Sequence, residues 1–159
     1  MATWIKSLGV TRASLMNASR TAIATLISLM VARLLKLNEF YWAPISTIVI
    51  LLSTINPLAG SWQRFVGTAL GAALGALIAT FFRVNWAIYG AGIFICGILC
   101  AVLRIKESYR IAAITMSIVL LITHGSAPWI VALHRFIEVS IGIAVALLIT
   151  TVWKVPQEA

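Results

Sequence analysis

Acidic residues, histidines and cysteines are scarce in this sequence. The 159 residues include four acidic residues, two histidines and two cysteines. A catalytic carboxylate pair, a nucleophile with its base, or a metal site needs several such side chains close together. No stretch of the chain shows that spacing. We therefore expect no enzyme activity, no metal site and no cofactor.

The two cysteines, Cys96 and Cys100, lie one helical turn apart in an apolar run. Because no His, Asp or Glu is near them, we interpret them as small buried packing residues. A Gly-rich phosphate loop ending in Gly-Lys-Ser or Gly-Lys-Thr is also absent. Any transport by this chain would therefore be driven by a gradient and not by ATP hydrolysis.

Charge of either sign is rare, whereas apolar residues dominate. Charged residues make up 10% of the chain and hydrophobic residues 62%, with a mean hydropathy of +1.05. A soluble domain has about a quarter of its residues charged, so we predict a single transmembrane domain over residues 1–159. The net charge of +8 comes from basic residues scattered between apolar runs. Without a basic cluster we expect no nucleic-acid partner, and instead membrane lipid and a small anionic solute.

Six apolar segments have about the length of a membrane span. They are roughly Asn17 to Leu37, Phe40 to Ala59, Arg64 to Phe82, Asn85 to Leu103, Ser108 to Thr123, and Ile130 or Phe136 to Trp153. A cleaved signal peptide is the alternative for the first segment. No clean Ala-x-Ala-like site follows it, and Arg33 interrupts its end, so we favour a retained span.

The aromatic and basic residues indicate how these segments lie in the membrane. All six tryptophans fall at or just outside predicted ends, at the headgroup level: Trp4, Trp42, Trp62, Trp86, Trp129 and Trp153. One side holds eight basic residues, namely Lys6, Arg12, Arg20, Arg64, Arg104, Lys106, Arg110 and Lys154, and the other holds Arg33, Lys36, Arg83 and Arg135. We predict a plasma membrane protein of the bacterial inner-membrane type. Because basic residues are in excess on the cytoplasmic side of such proteins, we place both termini in the cytoplasm.

An internal repeat appears when the sequence is shifted against itself by 71 residues. The ungapped matches include Arg64 with Arg135, Phe65 with Phe136, Gly71 with Gly142, Ser46 with Ser117, and Pro57 with Pro128. Repeat 1 covers about residues 17–83 and repeat 2 about residues 85–154. Because each contains three spans, the second enters from the opposite face. We predict an all-α integral membrane fold of six transmembrane helices in two inverted three-helix repeats, an arrangement typical of transporters.

Spans 2 and 5 occupy the same position in the two repeats, and both are rich in polar residues or interrupted by Pro. In inverted repeats, such a pair of spans points to the substrate path. The candidates are Pro44, Ser46, Thr47, Asn56, Thr115 and Ser117. We expect Pro44 to loosen the helix near it. The alternative is that each Ser and Thr bonds to its own helix backbone. His124, at the end of span 5, is interpreted as a solvated loop residue.

The arginines provide a second set of candidates. In the inverted repeat, Arg64 and Arg135 are placed at opposite mouths of one pathway, where a cation attracts anions. Glu138, one turn from Arg135, is a possible neutralising partner. Arg20 is a third candidate, whereas Arg83 and Lys154 are interpreted as interfacial anchors.

Small residues recur every fourth position in span 3, at Gly67, Gly71 and Gly75. Such a stripe allows two helix backbones to approach closely. We expect it to pack against its inverted copy, which contains Gly142 and Ala146, either within the chain or across a dimer.

Two segments carry a resemblance to a known family. "FYWAPISTIVILL" followed by "RFVGTALGAALGAL" resembles the fusaric acid resistance (FUSC) and aromatic acid exporter family. That family has an aromatic-Trp-Ala start to its second span and Arg-x-x-Gly-Thr-x-x-Gly at its third. The matching positions are Tyr41, Trp42, Ala43, Arg64, Gly67, Thr68 and Gly71. The chain is similar, more distantly, to the membrane part of plant aluminium-activated malate transporters.

The resemblance implies export or conduction of organic anions such as aromatic carboxylates, with two six-span units around a path lined by basic residues. It places Arg64 as the family's span-3 arginine and Arg135 as its counterpart. Common members also carry large cytoplasmic helical regions and a second six-span half. A homodimer would supply that half, and a trimer or a partner protein are alternatives. An anion channel and a non-transporting assembly subunit remain open as functions.

Overall fold

Helices form nearly all of the described structure. The computed structural model describes residues 12–37, 39–53, 56–122 and 127–153. In order, its helices are α1 (Arg12–Leu34), α2 (Trp42–Leu51), α3 (Pro57–Phe81), α4 (Trp86–Val102), a 3₁₀ turn (Lys106–Ser108), α5 (Tyr109–Ile122) and α6 (Pro128–Val152). The predictions for Trp4, Lys6, His124 and Lys154 lie outside these residues. The all-α prediction is confirmed for the described part.

Three of these helices, α1, α3 and α6, are long and apolar enough to cross a membrane. The other two apolar helices are shorter: α4 has 17 residues and α2 has 10. At 1.5 Å per residue, α2 is about 15 Å long, half the thickness of a hydrocarbon core. The prediction of a span from Phe40 to Ala59 is therefore wrong, because α2 ends at Leu51 and α3 has begun by Pro57.

Local sequence determines where α3 begins. Asn56 accepts a hydrogen bond from the backbone N–H of Leu58 at 3.0 Å, and Pro57 occupies the first turn, where its missing N–H removes no helical bond. Arg64 therefore lies inside α3, seven residues after Pro57. The predicted start at Arg64 is wrong because a charge was treated as the end of an apolar segment.

Pro44 also lies in a first turn. α2 begins at Trp42, so the N–H that proline lacks at position 44 would have no partner within the helix. The expectation that Pro44 loosens a helix from within is therefore wrong. Its place in the first turn is compatible with a regular α2.

The bundle is built around α3 and α6, which pack against each other. α3 also packs extensively on α5, and α6 on α2. α1 lies against α2 and α6, while α4 lies against α5 and touches α3. The rings of Phe65 and Phe136 meet with centroids 5.0 Å apart, which brings the corresponding parts of α3 and α6 together.

The glycines of α3 face α5. A Cβ atom added at Gly71 would overlap the backbone of Ala112, and one at Gly67 would lie 2.7 Å from the carbonyl oxygen of Ser108. Gly75 faces Val119 in the same way. The small-residue stripe therefore permits close approach of α3 and α5. The expectation that it packs against its own copy is wrong, because that copy faces a different helix.

Gly142 of α6 faces α2. A Cβ atom there would overlap the carbonyl oxygen of Ala43 and the side chain of Ser46. Thr47 reinforces this contact, because its hydroxyl group lies 3.1 Å from the carbonyl oxygen of Gly142 and can donate to it. Ala146, one turn further along α6, is fully buried and packs with Ala24 and Ile50.

Replacing Thr47 with valine should weaken the contact between α2 and α6. Valine keeps the shape but loses the hydroxyl group, which lies 3.1 Å from the carbonyl oxygen of Gly142 and 3.2 Å from that of Ala43 in its own helix. We expect a loss of about 0.5–1.5 kcal/mol in the free energy of unfolding, measured by denaturant titration in micelles. Thr80→Val is the control, since the Thr80 hydroxyl bonds only within its own helix, to Ala76. An equal effect of the two substitutions would contradict the interhelical role.

Candidate functional site

A small cavity lies where the start of α2 meets α3, α5 and α6. Its volume is about 40 Å³. The lining side chains are Trp42, Arg64, Thr68, Ile111, Ile114, Thr115, Ile118, Arg135 and Val139. Two cations, one aromatic ring and two hydroxyl groups thus lie among aliphatic side chains.

Arg135 is held over the indole ring of Trp42. Its guanidinium carbon lies 3.3 Å from the ring centroid, a distance at which a cation is attracted to the ring face. The side chain is 2% exposed, and its Nη2 atom lies 3.9 Å from Oε2 of Glu39. This separation is too long for a hydrogen bond, so Glu39 acts on Arg135 as a nearby charge.

Arg64 enters the same cavity from α3. The adjacent Phe65 packs on Phe136, the residue after Arg135, so this crossing brings the two arginines to one place. Among the described residues, no carboxylate lies within ion-pair distance of Arg64. Arg64 is therefore the cation of the cavity without a carboxylate partner in the described structure.

Four N–H donor atoms around the cavity have no hydrogen-bond acceptor among the described residues. They are Nε of Arg64, Nε and Nη2 of Arg135, and Nε1 of Trp42, all of them buried. Buried donors are nearly always paired, and hydrogen bonds from a guanidinium to an anion are among the strong ones. The arrangement is chemically suited to hold a small anionic group.

Two carboxylates lie beside Arg135. Glu138, on the same helix, is fully buried, and its Oε1 accepts a hydrogen bond from the backbone N–H of Glu39 at 3.2 Å. Its other oxygen, Oε2, has no partner in the described structure. Glu138 therefore anchors the α1–α2 connection to α6 and places a second negative charge near Arg135.

Of the predicted path residues, the structure brings Arg64, Arg135 and Thr115 together. The placement of the two arginines at opposite mouths is wrong, because they line the same cavity. The physical reason is the crossing of α3 and α6 at Phe65 and Phe136, each of which directly follows one of the two arginines.

The remaining candidates contact other parts of the protein. Ser46 bonds to the carbonyl oxygen of Trp42 and contacts Gly142. Ser117 bonds to the hydroxyl group of Tyr89 at 2.9 Å. Arg20 donates to the carbonyl oxygen of Trp153 at 3.4 Å, at the end of α6. None of these lines the cavity, and neither do Pro44, Thr47 and Asn56.

Sequence reasoning missed Trp42, Thr68 and Glu39 as site residues. Trp42 was assigned to the headgroup level with the other tryptophans, yet its Nε1 is buried and its ring supports Arg135. Trp62, Trp86 and Trp129 are exposed at or near helix starts. Trp42 and Thr68 lie in the two segments that resemble the known family, and this resemblance is a signal for their role. No feature of the sequence connects Glu39 with Arg135, which lies far along the chain.

The cysteines pack as predicted. Cys96 and Cys100 are buried in a cluster with Ala112, Met116 and Leu120, which confirms their role as packing residues. In the described ranges, no group of three or more His, Cys, Asp or Glu residues could hold a metal ion.

Comparison with known proteins relates this chain to a family. Residues 23–149 match the family described as fusaric acid resistance protein-like. The chain is also 28% identical over 155 residues to the inner membrane protein YeeA of Escherichia coli (strain K12), covering 91% of this chain and 42% of that protein. It thus spans less than half the length of this relative. No solved structure shows significant similarity to it. The chain is a membrane protein that belongs to the fusaric acid resistance protein-like family.

Proposed function

We propose that this protein transports small organic anions, with aromatic carboxylates as the substrate class, and that it works as an exporter. The observation that carries the proposal is the meeting of Arg64, Arg135 and Trp42 around one cavity with buried, unpartnered N–H donors. Two guanidinium groups favour an anion over a cation. The indole ring and the aliphatic lining suit an apolar or aromatic body attached to the anionic group.

The family description points to the same substrate class. It names resistance to fusaric acid, an aromatic carboxylic acid, and a membrane protein can give such resistance by export. A carboxylate can accept hydrogen bonds from both guanidinium groups at once. We therefore place the substrate carboxylate between Arg64 and Arg135.

The size of the cavity favours a carrier over an open channel. A cavity that binds benzene is of order 150 Å³, whereas this one is about 40 Å³. An aromatic acid would thus enter only when the surrounding helices move apart. A site that closes between openings is the behaviour of a carrier.

The helix packing supports the inverted repeat, in which α1, α2 and α3 correspond to α4, α5 and α6. Each packed pair has a counterpart in the other repeat. The contact of α1 with α2 corresponds to that of α4 with α5, and the contact of α2 with α6 corresponds to that of α5 with α3. The contact of α1 with α6 corresponds to that of α4 with α3. The contact between α3 and α6 is its own counterpart, because these are the third helices of the two repeats. We propose two inverted three-helix repeats, in which α2 and α5 are the short helices next to the site, as in other inverted-repeat transporters.

We also propose a homodimer with both termini in the cytoplasm. The basic residues outside the cavity support the orientation, since more of them fall on the side that would hold the termini. The resemblance to a family with two six-span units around its pathway favours a dimer, which would supply both units.

Flux into proteoliposomes tests the proposed function. We expect the purified protein to carry benzoate across the membrane faster than protein-free vesicles do. Benzylamine, with a similar ring and the opposite charge, should not be carried. Benzoate flux at the protein-free rate, or equal flux of both solutes, would contradict an organic-anion transporter.

A further inference from the structure

The charges around the cavity balance before any substrate is added. Arg64 and Arg135 contribute two positive charges, and Glu39 and Glu138 contribute two negative ones when ionised. An entering carboxylate would bring a third negative charge into a site where Arg135 is 2% exposed. A buried unpaired charge is costly, so one of the resident carboxylates has to give way.

The structure distinguishes the two carboxylates by their freedom to move. Glu138 is fully buried on α6 and holds a backbone N–H. Glu39 lies in the connection between α1 and α2, and its side chain is 24% exposed. It can turn away from Arg135 without disturbing a helix.

The contact between Glu39 and Arg135 is also loose. The closest atoms are 3.9 Å apart, and neither Nη2 of Arg135 nor Oε2 of Glu39 has a hydrogen-bond partner among the described residues. A substrate carboxylate in the cavity could form the hydrogen bonds that Glu39 does not form. The incoming anion would thus gain contacts that Glu39 lacks.

We infer that Glu39 is a tethered competitor, whose carboxylate neutralises Arg135 between transport cycles and is displaced by the substrate anion. The inference rests on the proposed anion site and adds a regulatory residue to it. Glu39 keeps Arg135 neutralised when no substrate is bound, and it lowers the affinity for substrate because every anion has to displace it. A lowered affinity allows release on the far side of the membrane.

Binding measurements on the purified full chain test this inference. Benzoate affinity is measured in micelles by the rise in thermal unfolding midpoint with benzoate concentration, for wild type and Glu39→Gln. We expect Glu39→Gln to lower the dissociation constant about tenfold, because the competing charge is gone. Glu107→Gln, an exposed carboxylate in the 3₁₀ turn, should leave it unchanged.

Glu138→Gln decides between the two carboxylates. If Glu39 is the group that leaves, Glu138→Gln should tighten benzoate binding less than Glu39→Gln does, because the tethered Glu39 still competes for Arg135. Tighter binding in Glu138→Gln alone would overturn the inference and assign the adjustment to Glu138. Should Glu39→Gln fail to fold, Glu39→Asp, with a shorter reach towards Arg135, is expected to lower the dissociation constant about two- to threefold.

The outcomes separate this inference from the proposed function. If wild type binds benzoate and neither Glu39 variant binds it more tightly, the tethered competitor is wrong while the anion site stands. If neither wild type nor any folded variant binds benzoate, both are wrong.

Discussion

Arg64→Ala is expected to lower benzoate flux by at least about tenfold. A hydrogen bond to a charged group contributes about 1.5–3 kcal/mol, and the substrate carboxylate would lose one of its two guanidinium partners. Arg64 lies inside α3 with its Nε buried at the cavity, so water cannot fully replace it. The measurement is the initial rate of benzoate uptake into proteoliposomes at a subsaturating concentration.

Arg64 is a better first target than Arg135 because of their partners. No carboxylate in the described structure lies within ion-pair distance of Arg64, so its removal breaks no ion pair there. Removing Arg135 would leave the fully buried Glu138 and the partly exposed Glu39 without a cation beside them, and an uncompensated buried charge is strongly destabilising. Arg64→Ala should therefore fold normally, whereas Arg135→Ala is expected to reduce stability as well as flux.

Arg83→Ala is the matched control for Arg64→Ala. Arg83 follows the end of α3 and is exposed, so we expect flux close to that of wild type. The double variant R64A R135A should give no flux above protein-free vesicles, provided that it folds. Equal flux in wild type and the folded double variant would rule out the proposed role of both arginines.

Gly71→Ala is expected to destabilise the protein by more than about 2 kcal/mol. The added methyl group would meet the backbone of Ala112, not a side chain that can turn away. α3 and α5 would therefore have to separate, and overpacking of a tight contact costs about 1–3 kcal/mol or more. The thermal unfolding midpoint in micelles measures the loss, with far-ultraviolet circular dichroism reporting helix content.

Gly90→Ala controls for the loss of glycine itself. Gly90 lies in α4, and a Cβ atom there would have no neighbour within 4 Å. Alanine favours helix over glycine by about 1 kcal/mol or less, so this variant should be as stable as wild type or slightly more stable. Gly142→Ala should behave like Gly71→Ala, because its Cβ would meet the carbonyl oxygen of Ala43. Equal midpoints for Gly71→Ala and Gly90→Ala would contradict the packing argument.

Composition and local patterns predicted much of the fold. The ends of α4 and α5 lie within one or two residues of the predicted segments, because charges and an Asn cap bound these apolar runs. α3 begins earlier than predicted because Asn56 and Pro57 form a helix start that an apolar-segment search ignores. Local chemistry near a helix end thus decides its boundary more than the first charged residue does.

The site was only partly predictable for a different reason. Arg64 and Arg135 stood out as charges in apolar surroundings, which is a local property. Their meeting in one cavity depends on how α3 and α6 cross, and the proximity of Glu39 depends on the path of a connection. Both are tertiary contacts between distant residues. Ser46, Ser117 and Asn56 had the right chemistry for a path but satisfy backbone or neighbouring hydroxyl groups instead.

The two outer helices, α1 and α4, are held less firmly than the central helices α3 and α6. α1 buries only Ala24, Ser28 and Ala32, so its contact surface is narrow and formed by small side chains. Its Arg20 reaches the end of α6 through one long hydrogen bond of 3.4 Å. α4 likewise buries only Gly92, Cys96 and Cys100. Local opening begins where the fewest contacts are lost. Detachment of α1 or α4 as an intact helix is therefore less costly than separation of the paired α3 and α6, which are the last elements to come apart.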